Sequence, residues 1–85
     1  MKKIMEVDDN EGLESLLGER LTLFCLNYIY TGRLVGVNTT YVLLEDAAIV
    51  YETGSFNDKT WKDAQALPTA WRVQMACIES WGILK

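Results

Sequence analysis

The chain has 85 residues, enough for one small domain, and 49% of them are hydrophobic, which excludes a disordered or collagen-like polypeptide. Its net charge of −4 resides in residues 1–19, which carry six acidic and two basic side chains, whereas residues 20–85 carry six of each. A neutral body of this kind lacks the basic surface that is typical of a strong, non-specific nucleic-acid binder.

Histidine is absent, and Cys25 and Cys77 lie 52 positions apart, so no cluster with zinc-ligand spacing exists and we expect no metal and no other cofactor. One disulfide is compatible with this count, but the simplest expectation is two small, buried hydrophobic side chains. No nucleophile–base pair or glycine-rich phosphate loop is visible, and we therefore expect no enzyme. An apolar leader and a stretch of about 18 apolar residues are also missing, which favours a soluble, cytoplasmic protein with no membrane partner.

A short N-terminal α-helix is predicted over about residues 9–18, because the following apolar residues have i, i+3, i+4 spacing: Leu13, Leu16 and Leu17. Asp9 or Asn10 can cap its start, and Gly18 fits the position just past its end. A helix of about two turns needs a surface to pack on, and we expect it to cover one end of a barrel.

From Arg20 onwards the hydrophobic period is two, which predicts strands over about 20–27, 28–37, 41–52, 71–79 and 80–84. Gly32 and Gly36 indicate bulges or a sharp bend in the second strand. Glu45 and Asp46 interrupt the third strand as a turn or bulge, and as strand neighbours they are expected to point to opposite faces. Residues 52–70 contain the only proline and are predicted to form a variable loop or a hairpin extension. Together these elements predict a mostly β protein whose strands form a strongly bent five-stranded antiparallel barrel.

Residues 16–47 resemble the first half of an Sm or Sm-like domain, including the Hfq group of bacterial RNA chaperones. Leu17-Gly18 open that motif, Gly32 and Leu34 lie in its bent strand, and residues 38–42 occupy its base-binding loop. Residues 73–83 are similar to the second, shorter Sm motif. The resemblance implies an SH3-type barrel of five strands with an N-terminal helix in a homo-oligomeric ring, closed by pairing of the fourth strand with the fifth strand of the next subunit.

The same resemblance implies single-stranded RNA binding, or DNA binding, in RNA processing or metabolism. Tyr41 matches the position that stacks on a base, Asn38 and Thr40 would supply polar contacts, and Arg33, or else Arg20, would reach a phosphate. Asn38 stands where the family has Asp, and Val42 stands where it has a base-reading Asn. The basic pair of the second motif is replaced by Met75-Ala76-Cys77, so we expect modest affinity with a shallow salt dependence.

Two other functions are compatible with the sequence. The missing basic motif and the aromatic residues Phe56 and Trp61 favour a ring-forming protein–protein interaction module that docks a partner through the 52–70 loop. A peptide binder of the SH3 type would instead use a groove made by the three tryptophans, Trp61, Trp71 and Trp81.

Overall fold

The computed structural model describes residues 12–58 and 60–84, which form six antiparallel strands and two single-turn 3₁₀ helices without any α-helix. The strands are β1 (Arg20–Cys25), β2 (Ile29–Val37), β3 (Tyr41–Glu52), β4 (Asp63–Ala66), β5 (Trp71–Gln74) and β6 (Ile78–Gly82). The two 3₁₀ helices are Leu13–Leu16 and Met75–Cys77. No helix in the described part of the chain is long and apolar enough to cross a membrane.

The six strands belong to one open sheet with the order β4-β3-β2-β1-β6. The long β3 has β2 on one side, and its other side pairs first with β5 over residues 41–44 and then with β4 over residues 48–52. Although β5 pairs with β3 and β6 pairs with β1, only the three residues Met75–Cys77 join them. The sheet must therefore curl strongly to bring these two sides together.

The core lies inside this curl and is one cluster of buried hydrophobic side chains: Leu13, Leu21, Leu23, Leu34, Val42, Leu44, Ala47 and Val73. Thr22, Thr31 and Val50 are buried as well, so β1 near residue 22 and β2 near residue 31 are covered on both faces. The Thr31 hydroxyl donates a hydrogen bond to the Leu21 carbonyl oxygen at 3.0 Å, which satisfies a polar group that would otherwise be costly to bury.

A bulge bends β3 where the sequence predicts an interruption. Thr31 pairs with Ala48 and Arg33 pairs with Glu45, so β3 contains one residue more than β2 between these two pairs. Asp46 takes up the extra length with a positive φ of 49°. Gly32 faces this bulge, and a Cβ at its position would lie 3.1 Å from the Ala47 Cα and from the Glu45 carbonyl oxygen. Only glycine allows the two strands to approach so closely.

The N-terminal helix differs from its prediction over residues 12–18, where a four-residue 3₁₀ helix replaces an α-helix. Leu13 is buried as expected, but Leu17 is half exposed and lies outside the apolar face assigned to it. Gly18 has the positive φ, +90°, that a position after a helix end requires, and its N–H donates to the Leu34 carbonyl oxygen. The caps predicted at Asp9 and Asn10 lie outside the described residues.

The C-terminal strands also have other bounds than those predicted. A strand over 71–79 is wrong because the chain leaves the sheet at Met75, whose N–H donates to the Thr40 carbonyl oxygen at 2.8 Å. The final strand accordingly begins at Ile78 rather than at residue 80. The strand β4, which is additional to the five predicted strands, lies within the segment 52–70 and pairs with β3 as a hairpin. Residues 75–77 contain no glycine or proline, so no local signal in the sequence predicts the break between β5 and β6.

Candidate nucleic-acid interface

The loop before β3 is held in place by Asn38. The Asn38 Oδ1 accepts hydrogen bonds from the backbone N–H groups of Thr40, at 2.7 Å, and of Tyr41, at 2.8 Å. The Asn38 N–H in turn donates to the Tyr41 carbonyl oxygen at 3.0 Å. This side-chain turn is typical of Asn at tight corners, and it fixes the backbone from which the Tyr41 side chain projects.

Tyr41 lies beside Arg72, a residue that the sequence analysis did not assign to the site. In the β3–β5 register Arg72 pairs with Leu43, which makes Tyr41 its diagonal neighbour. The Arg72 Cζ lies 5.4 Å from the centroid of the Tyr41 ring, within the range of a cation–π contact. Hydrogen bonding and positive charge from Arg72, with a smaller contribution from Asn38, lower the pKa of the Tyr41 hydroxyl.

No carboxylate forms an ion pair with Arg72 among residues 12–58 and 60–84. Arg72 is also exposed, whereas Tyr41 is half-buried. The pair therefore combines an aromatic ring with a guanidinium group whose charge is not neutralised by the described acidic side chains.

A cleft of about 200 Å³ adjoins Arg72 between β5 and the β1–β2 turn. Its lining residues are Cys25, Asn27, Tyr28, Tyr30, Arg72, Val73, Gln74 and Cys77. Tyr28 is half exposed and makes edge-to-face contacts with Tyr30, at 6.4 Å, and with Tyr51, at 6.0 Å between ring centroids. Arg72 thus stands between the Tyr41 ring on one side and a cleft with aromatic and amide side chains on the other.

Arg33 occupies a different environment, where acidic side chains surround it. Its Nη2 lies 2.9 Å from the Glu45 Oε1 and its Nη1 lies 3.5 Å from the Asp46 Oδ2. The hydrogen bond and charge of Glu45, followed by the charge of Asp46, raise the pKa of the guanidinium. Arg20 donates to the Asp46 carbonyl oxygen at 3.1 Å. The expectation that Glu45 and Asp46 point to opposite faces is wrong, because the bulge at Asp46 breaks the alternation of the strand.

Of the four predicted contact residues, three lie together: Asn38, Thr40 and Tyr41. Arg33 pairs with Glu45, four residues further along β3, which places it about 13 Å away at ~3.3 Å per residue. Val42 is fully buried in the core and cannot face a ligand. The basic residue beside Tyr41 comes instead from β5, a strand whose pairing with β3 no local sequence pattern indicates.

The 52–70 segment folds back onto the sheet. The Phe56 ring packs edge-to-face against Phe24 of β1 with 6.2 Å between centroids, and Lys62 Nζ lies 3.4 Å from Glu52 Oε1. Phe56 nevertheless keeps more than half of its surface exposed. Two of the three tryptophans of the predicted peptide groove, Trp71 on β5 and Trp81 on β6, are partly exposed.

Comparison with known proteins gives no relative: no family model, no curated protein and no solved structure matches the chain. Within the described residues, no three His, Cys, Asp or Glu side chains lie close enough together to hold a metal ion. The arrangement around Tyr41 and Arg72 must accordingly be interpreted from its own geometry.

Proposed function

We propose that this protein binds single-stranded nucleic acid, RNA in the first place, at the surface formed by Tyr41 and Arg72. The observation that carries the proposal is the Arg72 guanidinium 5.4 Å from the Tyr41 ring centroid, with no ion-paired carboxylate among the described residues. An aromatic ring beside an arginine is the combination that single-strand binders use, since the ring stacks on a base and the cation contacts the backbone.

Each residue of this surface has a distinct task in the proposed complex. A base stacks on Tyr41, Arg72 contacts the phosphate, and the exposed Thr40 hydroxyl lies beside the stacked base. Asn38 acts through the loop, because its Oδ1 already accepts two backbone hydrogen bonds. The adjoining cleft offers the Tyr28 ring and the Asn27 and Gln74 amides to a neighbouring nucleotide.

Electrostatics limit the strength of this binding. Arg33 is paired with two carboxylates, and residues 20–85 are neutral in total. One or two phosphate contacts to a single strand correspond to a slope of log K against log salt of about −0.7 to −1.4. We therefore expect modest affinity that survives physiological salt, because stacking rather than ion release supplies most of the free energy.

Fluorescence anisotropy with labelled oligo-U, oligo-A and matched DNA strands, titrated at low and physiological salt, tests this function. Tyr41→Ala should weaken binding about 5- to 150-fold, the equivalent of ~1–3 kcal/mol for one stacked base. Phe56→Ala is the matched control, since it removes a half-exposed aromatic ring that packs against Phe24, away from the proposed binding surface. Equal losses in the two variants, or no saturable binding by the wild type at low salt, would refute the proposal.

We also propose that the bent sheet is a divergent Sm-like barrel that assembles into a homo-oligomeric ring, with a role in RNA processing or metabolism. The supporting observation is apolar surface on the two strands that would meet between subunits, β5 and β6. Trp71 is 37% exposed on β5, Trp81 is 45% exposed on β6, and Ile83 just beyond it is 64% exposed. An unpaired strand edge flanked by large apolar side chains favours pairing with another chain.

The same apolar surface supports the second candidate function, a ring-forming protein–protein interaction module without nucleic-acid binding, with Phe56 of the 52–70 loop as a docking residue. Native mass spectrometry separates assembly from binding. A single closed oligomer supports the ring, and a monomer at micromolar concentration contradicts it. A ring that binds no oligonucleotide at low salt favours the interaction module.

A further inference from the structure

The two cysteines are immediate neighbours across β1 and β6. Cys25, the last residue of β1, is the register partner of Ile78, the residue that follows Cys77. The Leu26 N–H donates to the Cys77 carbonyl oxygen at 3.1 Å, which continues the same pairing by one step. Paired Cα atoms are about 4.5–5.5 Å apart and a strand rises ~3.3 Å per residue, so the Cys25 and Cys77 Cα atoms lie about 6 Å apart. Disulfides span about 4.4–6.8 Å between Cα atoms.

The two side chains also lie on the same side of the sheet. In a regular pair of strands, Cys25 and the residue before its register partner would point to opposite faces. Cys77, however, is the last residue of a 3₁₀ helix, and the β1–β6 register shifts between Phe24 and Cys25. As a result both cysteines line the cleft beside Arg72. Each is an unbridged, half-buried thiol, so a small reagent in the cleft has access to both.

We propose that Cys25 and Cys77 form a reversible intramolecular disulfide by exchange with a low-molecular-weight disulfide such as oxidised glutathione. One protein thiolate attacks a sulfur of the small disulfide, which leaves a mixed disulfide on the protein and releases one thiolate. The second protein thiolate then attacks the protein sulfur of that mixed disulfide and releases the other small thiolate. The protein loses two hydrogens and the small disulfide is reduced to two thiols.

Cys77 is the residue that attacks first. Burial, with a smaller contribution from the nearby Cys77, raises the pKa of the Cys25 thiol to about 11. At neutral pH only about one Cys25 thiol in ten thousand is then ionised, and the thiolate is the reactive form. Cys77 lines the same cleft, and its thiol lies 3.7 Å from the Gln74 Oε1. Cys25 serves as the resolving thiol.

The bond would join the end of β1 to the start of β6, which pairs with β1 alone among the described strands. It would close a loop of about fifty residues, and such a cross-link restricts the unfolded chain. It would also fix the wall of the cleft that contains Arg72. We therefore expect the oxidised protein to melt at a higher temperature than the reduced protein, with the difference abolished by dithiothreitol.

Intact-mass analysis of the full chain tests the proposal. The protein is incubated with oxidised glutathione, quenched in acid, desalted in acid to remove glutathione, and then treated with iodoacetamide in denaturant at mildly alkaline pH. The expected product is a monomer that is two hydrogens lighter, carries neither glutathione nor alkyl label, and returns to the doubly labelled form after dithiothreitol. A chain that retains two glutathione groups, takes up two labels or forms disulfides between chains overturns the proposal.

Two serine variants then test the order of attack. Cys25→Ser should accumulate the mixed disulfide on Cys77, because the resolving thiol is gone. Cys77→Ser should acquire glutathione more slowly than Cys25→Ser, because burial disfavours the thiolate of the remaining Cys25. Equal rates in the two variants would contradict the assignment of Cys77 as the first nucleophile, while the wild-type mass still decides whether the disulfide forms.

Discussion

Replacing Asn38 with alanine removes the acceptor of two hydrogen bonds and leaves the net charge of the protein unchanged. The lost partners are the backbone N–H groups of Thr40 and Tyr41, whose N···O distances to Asn38 Oδ1 are 2.7 Å and 2.8 Å. A typical intramolecular hydrogen bond contributes a net ~0.5–1.5 kcal/mol. Because the loop is exposed, water takes over part of both bonds. We expect Asn38→Ala to lower the free energy of unfolding by about 1–2 kcal/mol.

A matched series isolates the side-chain acceptor. Asn38→Asp keeps an oxygen at the same position, and a carboxylate accepts backbone N–H bonds well, so its stability should stay within about 0.5 kcal/mol of the wild type. Thr39→Ala, next to Asn38, removes an exposed side chain that makes no hydrogen bond to the described residues, and it should be neutral.

Guanidinium unfolding, followed by tryptophan fluorescence and far-UV circular dichroism, measures these free energies. A loss of 1–2 kcal/mol corresponds to a melting temperature lower by about 4–16 °C in a domain of this size. Asn38→Ala with wild-type stability, or Asn38→Asp as unstable as Asn38→Ala, would refute the assignment of Asn38 as the residue that holds the Tyr41 loop.

Three further predictions address the bulge and the cleft. Gly32→Ala forces a Cβ to within 3.1 Å of the Ala47 Cα and should cost about 1–3 kcal/mol, whereas Gly82→Ala meets no atom within 4 Å; equal costs in unfolding titrations would contradict this packing. Asp46→Ala should be about 1–2 kcal/mol less stable than Asp46→Gly, because both lose the carboxylate but only glycine tolerates φ of 49° without strain; the reverse order would contradict it. In the Cys77→Ser background, alkylation of Cys25 by iodoacetamide should still quicken about tenfold per pH unit between about pH 8 and about pH 10, and a rate that levels off near pH 9, as that of an ordinary thiol does, would refute its raised pKa.

The meander β1–β2–β3 is predictable from sequence because its signals are local. Period-two alternation marks the three strands, Asn27 and Asn38 mark the turns, and Gly32 marks the bulge. Each of these signals depends on the backbone preference of the residue itself, which is the same in any context. The sequence of residues 20–52 alone therefore predicts the ends of these three strands to within one or two residues.

The helix–sheet junctions and the site depend on tertiary structure and are not predictable in the same way. Leu13 and Leu16 have helical spacing, but the described chain forms only one 3₁₀ turn before Gly18. At Met75 an apolar run without glycine or proline leaves the sheet and forms a single 3₁₀ turn before β6. Both outcomes depend on where the segment packs and not on its composition.

Arg72 is the clearest case, because its role depends on strand register. It lies 31 residues after Tyr41, and only the pairing of β5 with the first four residues of β3 makes them neighbours. The sequence offered Arg33 as the nearest cation, but the Asp46 bulge turns a second carboxylate towards Arg33. A register shift of one residue would have moved either arginine to another face.

A double-mutant cycle on oligonucleotide affinity tests the central claim, that Tyr41 and Arg72 form one binding surface. Dissociation constants are measured at fixed low salt for the wild type, Tyr41→Ala, Arg72→Gln and the double variant, each first shown to retain the wild-type circular dichroism spectrum. Both single changes should weaken binding at least fivefold, and the double change should cost less than the sum of the two by about 0.5 kcal/mol or more. Single variants that bind as tightly as the wild type, or a wild type that does not bind, would contradict the account.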